Sequence, residues 1–163
     1  MQRPSECFAR GSRIVDLEVQ REGDPEVKDE KRVAGDRGVT IQEIRDFWEH
    51  FEYDDVKIAR AAPGTREFFA ELSAIRSRRL EYLSRLADFA GNEGKRVLEV
   101  GCRIGLDLAN FARHAAQVTG IELSRPALDM ARTHFSVMGL EGEFIEMDGE
   151  ALEFADNTFD LVY

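Results

Sequence analysis

The apolar positions of this chain change their period near residue 95. Before it they recur at helical spacing, and after it they come in short continuous runs separated by helical stretches. Ile41, Ile44, Phe47, Trp48 and Phe51 follow one another at a helical interval, and Thr40 stands three residues ahead of Glu43. That spacing lets hydroxyl and carboxylate cap each other's backbone, so a helix with one apolar, aromatic face is expected to start there. After Pro63-Gly64, Thr65 caps a long helix whose stripe of Phe68, Leu72, Ile75, Tyr82, Leu86 and Phe89 runs to about Gly91.

From Lys95 the pattern becomes strand, helix, strand, helix, strand. Val97 to Val100, Val118 to Leu123, Glu143 to Met147 and Phe159 to Tyr163 read as strands, the first two as the continuous apolar runs of a buried parallel sheet. Between them, Gly105 opens a helix carrying Leu108, Phe111 and Ala112. Ser124 caps another, with Pro126 in its first turn, Leu128, Ala131, Phe135 and Met138 inward, and Gly139 as its stop. This alternation predicts an α/β fold: a Rossmann-like doubly wound parallel sheet, partial with about four strands, preceded by an N-terminal helical segment. Residues 1–38 alternate charges with few large apolar groups beyond Val15, Leu17 and Val19, and are expected to be disordered or weakly ordered. Residues 39–94 then form a helical lid segment, and 95–163 the N-terminal part of a ligand-binding domain.

The chemistry gathers where strands end. The first strand runs into a glycine turn as Glu99, Gly101, Cys102, Arg103 and Gly105, and Glu122 closes the next strand 21 positions after Gly101. A glycine turn at a strand's carboxyl end admits a ligand close to the backbone, and an acid ending the neighbouring strand can take both hydroxyls of a ribose. A dinucleotide fingerprint would need glycines where Arg103 and Leu106 stand, so it fails twice. The pattern acid-x-Gly-x-Gly-x-Gly fails only at Arg103.

That second pattern resembles the class I S-adenosylmethionine-dependent methyltransferases. Further stretches are similar to the family in order: Gly120-Ile-Glu-Leu-Ser124, Asp148-Gly-Glu-Ala-Leu-Glu-Phe154 and Asn157-Thr-Phe-Asp-Leu-Val-Tyr163. Phe47-Trp48, Pro63 to Phe69 and Lys95 to Glu99 resemble a bacterial subgroup with helices ahead of the catalytic domain, helices that lie over the cofactor and help close the substrate site. The resemblance spans roughly residues 45–163. It implies S-adenosyl-L-methionine as cofactor, with Glu99 steering the methionyl amino group and the loop of Gly101, Cys102, Arg103 and Gly105 admitting the methionyl chain. Glu122 would hold the ribose, Asp148 the adenine amino group, and Leu123, Gly149 and Ala151 would lie nearby. It also implies a seven-stranded sheet, so a partial sequence is expected, with strand four as an edge open to self-association.

Charge and the remaining side chains narrow the partners. The chain carries a net charge of -10, and residues 95–163 hold 6 basic against 12 acidic side chains. Such a surface repels a phosphate backbone, which disfavours nucleic acid and favours a small-molecule methyl acceptor. Arg76, Arg78, Arg79 and Arg85 read as a solvated helix face. Cys7 and Cys102 have no metal-ligand spacing, so no metal is expected. No apolar run approaches a membrane span or a signal peptide, and a cytoplasmic location is the expectation.

No catalytic residue is assigned, because a sulfonium is already an activated methyl donor and the base, where one is needed, varies. Of the histidines, His114 lies near a helix end, His134 reads as a helix-surface residue, and His50 sits beside Trp48. Arg103 is the departure from the pattern: its side chain swings outward, pairs with the cofactor carboxylate, or obstructs the cleft. Two alternatives stand beside the methyltransferase reading: a non-catalytic S-adenosylmethionine-binding or scaffold fragment, and a nicotinamide-dependent oxidoreductase.

Overall fold

Thr40 and Glu43 cap the first helix reciprocally. The Thr40 N–H donates to Glu43 Oε2 at 2.8 Å, and the Glu43 N–H to Thr40 Oγ1 at 3.3 Å. The computed structural model describes residues 38–50 and 54–163, so the expectation for residues 1–37 and the aromatic positions Phe51 and Tyr53 lie outside the described residues. Thr40–Tyr163 is one compact unit.

Helix α1 (Ile41–His50) follows the cap, and the short α2 (Asp54–Ile58) leads to α3 (Arg66–Arg79), where Thr65 Oγ1 accepts from the Phe68 N–H at 3.2 Å. The apolar face expected of α1 does not enter the core: none of its residues is buried. Helix α3 does bury its stripe, as Phe68, Phe69, Leu72 and Ile75.

The single long helix expected from Thr65 to Gly91 is instead broken. It stops at Leu80, resumes as α4 (Leu83–Ala87), and ends in a 3-10 turn, Phe89–Asn92, entered through left-handed Asp88. The break changes which residues face inward. Leu83 and Phe89 join the core, while Tyr82 and Leu86 of the expected stripe are exposed.

The sheet has the order β3-β2-β1-β4, with every pair parallel. Its strands are β1 (Arg96–Val100), β2 (Gln117–Glu122), β3 (Glu143–Glu146) and β4 (Leu161–Val162). Helix α5 (Leu106–Arg113) links β1 to β2, and α6 (Arg125–Met138) links β2 to β3. Ser124 caps α6 through the Ala127 N–H, and Gly139 ends it in the left-handed conformation. Val97 and Val118 pack with Leu108, Phe111, Phe135 and Phe89 in one core cluster. A second cluster joins Phe68, Phe69 and Leu72 of α3 to Ile104, Leu106 and Met130, so the cap helix and the loop after β1 share a core. Among the described residues no helix is long and apolar enough to cross a membrane.

Register brings the chemistry together. Glu99 pairs with Gly120, and Glu122 with Glu146, so the loop after β1, the end of β2 and the end of β3 meet at the carboxyl edge of the sheet. Ligands of doubly wound folds sit at this edge.

Candidate functional site at the carboxyl edge of the sheet

The loop between β1 and α5 is built on three left-handed residues. Gly101, Arg103 and Gly105 have φ of 72°, 49° and 69°. These are the positions where the sequence pattern calls for glycine, and Arg103 keeps the backbone form without being one. An L residue held there costs about 1–3 kcal/mol. The turn is pinned to the next strand, since the N–H groups of Gly101 and Cys102 both donate to the Ile121 carbonyl at 2.9 Å. A Cβ on Gly120 would come within 2.6 Å of Cys102 Sγ, so only glycine lets the loop lie this close over β2. Cys102 is buried, and burial pushes its thiol up from the ordinary value; its part here is packing.

Glu122 ties the loop to the start of α6. Its Oε2 accepts from the Arg103 N–H at 3.1 Å, and its Oε1 from the N–H groups of Leu123 and Ser124 at 2.8 and 3.0 Å. Arg103 therefore contributes through its main chain, presenting an N–H to the acid on the neighbouring strand.

Glu99 is the least satisfied group of the cleft. It is 8% exposed, and its Oε2 is buried without a hydrogen-bond partner. Burial, reinforced by nearby Asp107, pushes its carboxyl up to about 8. It lines a cavity of about 230 Å³ with Arg76, Asp107, Leu72, Val56 and the loop residues Gly101 to Ile104.

Arg76 corrects the expectation of a solvated basic face. Its guanidinium meets the carboxylate of buried Asp107 with two bonds, Nε to Oδ1 at 2.6 Å and a second, shorter one to Oδ2. The hydrogen bond to Asp107 raises the Arg76 pKa above its ordinary value, so the cation persists at the cavity wall. The Tyr163 hydroxyl donates to the same Asp107 oxygen at 3.3 Å. The neighbouring Arg78 and Arg79 are exposed, as expected of that face. The signal was in the spacing: Arg76 is four residues after Leu72 and one after Ile75, on the buried side of α3.

A second cavity of about 250 Å³ lies on the other side of the loop and shares Gly101 and Arg103 with the first. Its walls are Val100, Glu122, Leu123, Ser124, Met147, Gly149 and Trp48. Asp148 stands between Met147 and Gly149, with Oδ1 accepting the Glu150 N–H at 2.9 Å. Ala151 is exposed, its N–H donating to the Asp148 carbonyl at 3.1 Å. Neither lines the cavity. Met147 and Trp48 do, and site assignment from sequence passed over both.

His134 is fully buried rather than on the helix surface. Its ring stacks on Phe69 with centroids 4.3 Å apart, and its Nδ1 donates to the Ile104 carbonyl at 3.0 Å. Its Nε2 has no partner, and burial lowers its pKa. The imidazole thus joins α6 to the cap helix and the loop, away from both cavities. His50 Nδ1 donates to the Asp46 carbonyl at 2.7 Å within its own helix, and His114 is the C-cap of α5.

A parallel sheet with a left-handed loop after its first strand and an acid ending the second defines a Rossmann-like α/β fold. Residues 97–163 match the family model described as a methyltransferase domain. The chain is 40% identical over 85 residues to a ubiquinone biosynthesis O-methyltransferase of Alkalilimnicola ehrlichii, covering 52% of this chain and 34% of the relative. A protein of the same name from Nitrosococcus oceani is 38% identical over 95 residues, covering 58% and 39%. A phosphatidylethanolamine N-methyltransferase of Cereibacter sphaeroides is 44% identical over 80 residues, covering 48% and 39%. The chain thus spans between a third and two fifths of the length of these relatives.

Proposed function

We propose that this chain binds S-adenosyl-L-methionine and forms the cofactor-binding part of an enzyme that methylates a small-molecule acceptor. One observation carries the reading: Glu99, a buried acid with an orphaned oxygen, lines a cavity reached through the glycine loop. A buried polar atom without a partner is expensive, and an ammonium group placed against it would offset that cost. Arg76, held on the opposite charge pair with Asp107, offers a cation in the same cavity for a carboxylate. Together they suit the amino-acid end of the cofactor.

The residues fit the rest of the group. The left-handed loop brings bare main chain between the two cavities, and Glu122 reaches the second cavity beside Leu123, where a ribose and a base would lie. Asp148, between the lining residues Met147 and Gly149, remains the candidate for the adenine amino group, with Ala151 following it in the same turn. The bound cofactor supplies a sulfonium-activated methyl group, and the protein's task is to align the acceptor and exclude water. No residue of the chain is assigned as a catalytic base.

The net acidic charge of residues 95–163 supports a small-molecule acceptor over a nucleic acid. The relatives named for transfer to oxygen and to nitrogen match this chain at 40% and 44% identity, so the similarity does not choose between the two acceptor atoms.

Calorimetric titration with S-adenosylhomocysteine, beside NAD as control, tests the reading. Micromolar, saturable binding of the first alone is expected. Binding of NAD alone would replace it with the oxidoreductase reading, and binding of neither by the folded chain would favour the non-catalytic scaffold.

A further inference from the structure

The geometry points to Trp48 as the residue that closes the nucleoside end of the cleft, with the Arg45–Glu146 ion pair as the latch that holds it there. The inference rests on the reading of the cleft as a cofactor site and adds to it a binding residue from outside the sheet.

Helix α1 places its aromatic residues in an unusual setting. No residue of the helix is buried, Phe47 is 56% exposed, and Trp48 is 38% exposed. Trp48 meets the edge of Phe47, with ring centroids 5.1 Å apart, and forms one wall of the second cavity. Leu123, Met147 and Gly149 line the same cavity, together with Glu122. An aromatic ring and apolar side chains around one cavity, with an acid among them, suit a flat base joined to a hydroxylated ring. A base has a π-face for the indole to cover.

An ion pair ties α1 to the strand end beside this cavity. Arg45 Nη1 donates to Glu146 Oε1 at 2.6 Å, and the other oxygen of Glu146 accepts from Arg125 Nε at 3.2 Å. Glu146 is the last residue of β3, and the next residue, Met147, is itself a cavity wall. The latch is therefore rooted where the ligand would sit. Arg45 Nε is buried with no hydrogen-bond partner, a desolvation cost that weakens the latch. Salt screens a pair of this kind. Closure over the nucleoside, and so its affinity, then depends on ionic strength.

Trp48 is the sole tryptophan of the chain, which makes its emission a direct report. The test is a titration of the purified protein with adenosine and with S-adenosylhomocysteine, followed by fluorescence and by calorimetry at low and high salt. Both ligands should change Trp48 emission saturably, at the concentrations where calorimetry reports binding. Trp48→Ala should weaken both by about tenfold, while Trp48→Phe, which keeps an aromatic face, stays within about twofold. Glu146→Gln should weaken both by about threefold and remove most of the salt dependence. Calorimetric binding with silent Trp48 emission, or unchanged affinity in a folded Trp48→Ala variant, overturns the proposal and leaves the cofactor reading standing. No calorimetric binding of either ligand to the folded wild type overturns both.

Discussion

Glu99 carries a cost in the free protein that a bound cation would relieve. Its carboxyl is raised from the ordinary 4.5 to about 8 by burial and by Asp107, so the folded state holds a proton that the unfolded chain gives up. Stability is therefore highest below the unfolded value and falls as pH rises from about 4.5 to about 8. Glu99→Gln should flatten that fall: its melting temperature should exceed the wild type's at pH 8 and match it near pH 5, and its affinity for S-adenosylhomocysteine should drop. Equal pH profiles for the two proteins would remove Glu99 from this account. Arg103 sits at φ 49°, where glycine is at ease, and Arg103→Gly should raise the melting temperature by about 2 °C. A lower melting temperature would mean that the side chain's contacts outweigh its backbone strain. The places of Glu99, Gly101, Gly105 and Glu122 at the carboxyl edge of the sheet were legible in the sequence, because strand ends and glycine turns leave a local pattern. Arg76 and His134 were not, because what buries them lies far along the chain: Asp107 is 31 residues from Arg76, and Ile104 is 30 from His134.

The helix ends marked by capping residues fall where the sequence places them. Thr40, Thr65, Ser124 and Gly139 each start or stop a helix where the side chain or the left-handed backbone satisfies end groups, a signal confined to a few neighbouring residues. The break in the cap helix at Leu80 carried no glycine or proline to announce it. It follows from packing, since Leu83 and Phe89 reach the core only if the helix axis turns. Helical periodicity cannot register such a turn. Contact between elements also sets the next prediction. β2 and the loop after β1 approach so closely at Gly120 that Gly120→Ala forces its Cβ against Cys102 Sγ, and should cost about 1–3 kcal/mol in denaturant unfolding. Adding Cys102→Ala should restore part of that loss. A fully additive double mutant would show that the two elements are not in contact.

At the scale of the whole molecule, the sheet joins two kinds of connection. β1, β2 and β3 are paired through single intervening helices, whereas β4 pairs with β1 across most of the domain. The Arg96 side chain and N–H both bind the Asp160 carboxylate, across 64 positions of sequence, and secure that last pairing. Asp160→Asn should therefore speed unfolding in stopped-flow denaturant jumps while leaving the refolding rate nearly unchanged, since contacts made late act on the unfolding limb. Slower refolding would place β4 in the folding nucleus. The Arg96–Asp160 clamp thus bears on the order in which the domain is assembled. Loop-closure entropy must be met before a contact of such separation gives any return, so three strands and their helices can form around the nascent cleft while β4 is still searching. On that timetable the loop and Glu122 are in place first, and Tyr163, which follows β4 and reaches Asp107, joins the ion pair of the first cavity only once β4 has paired with β1.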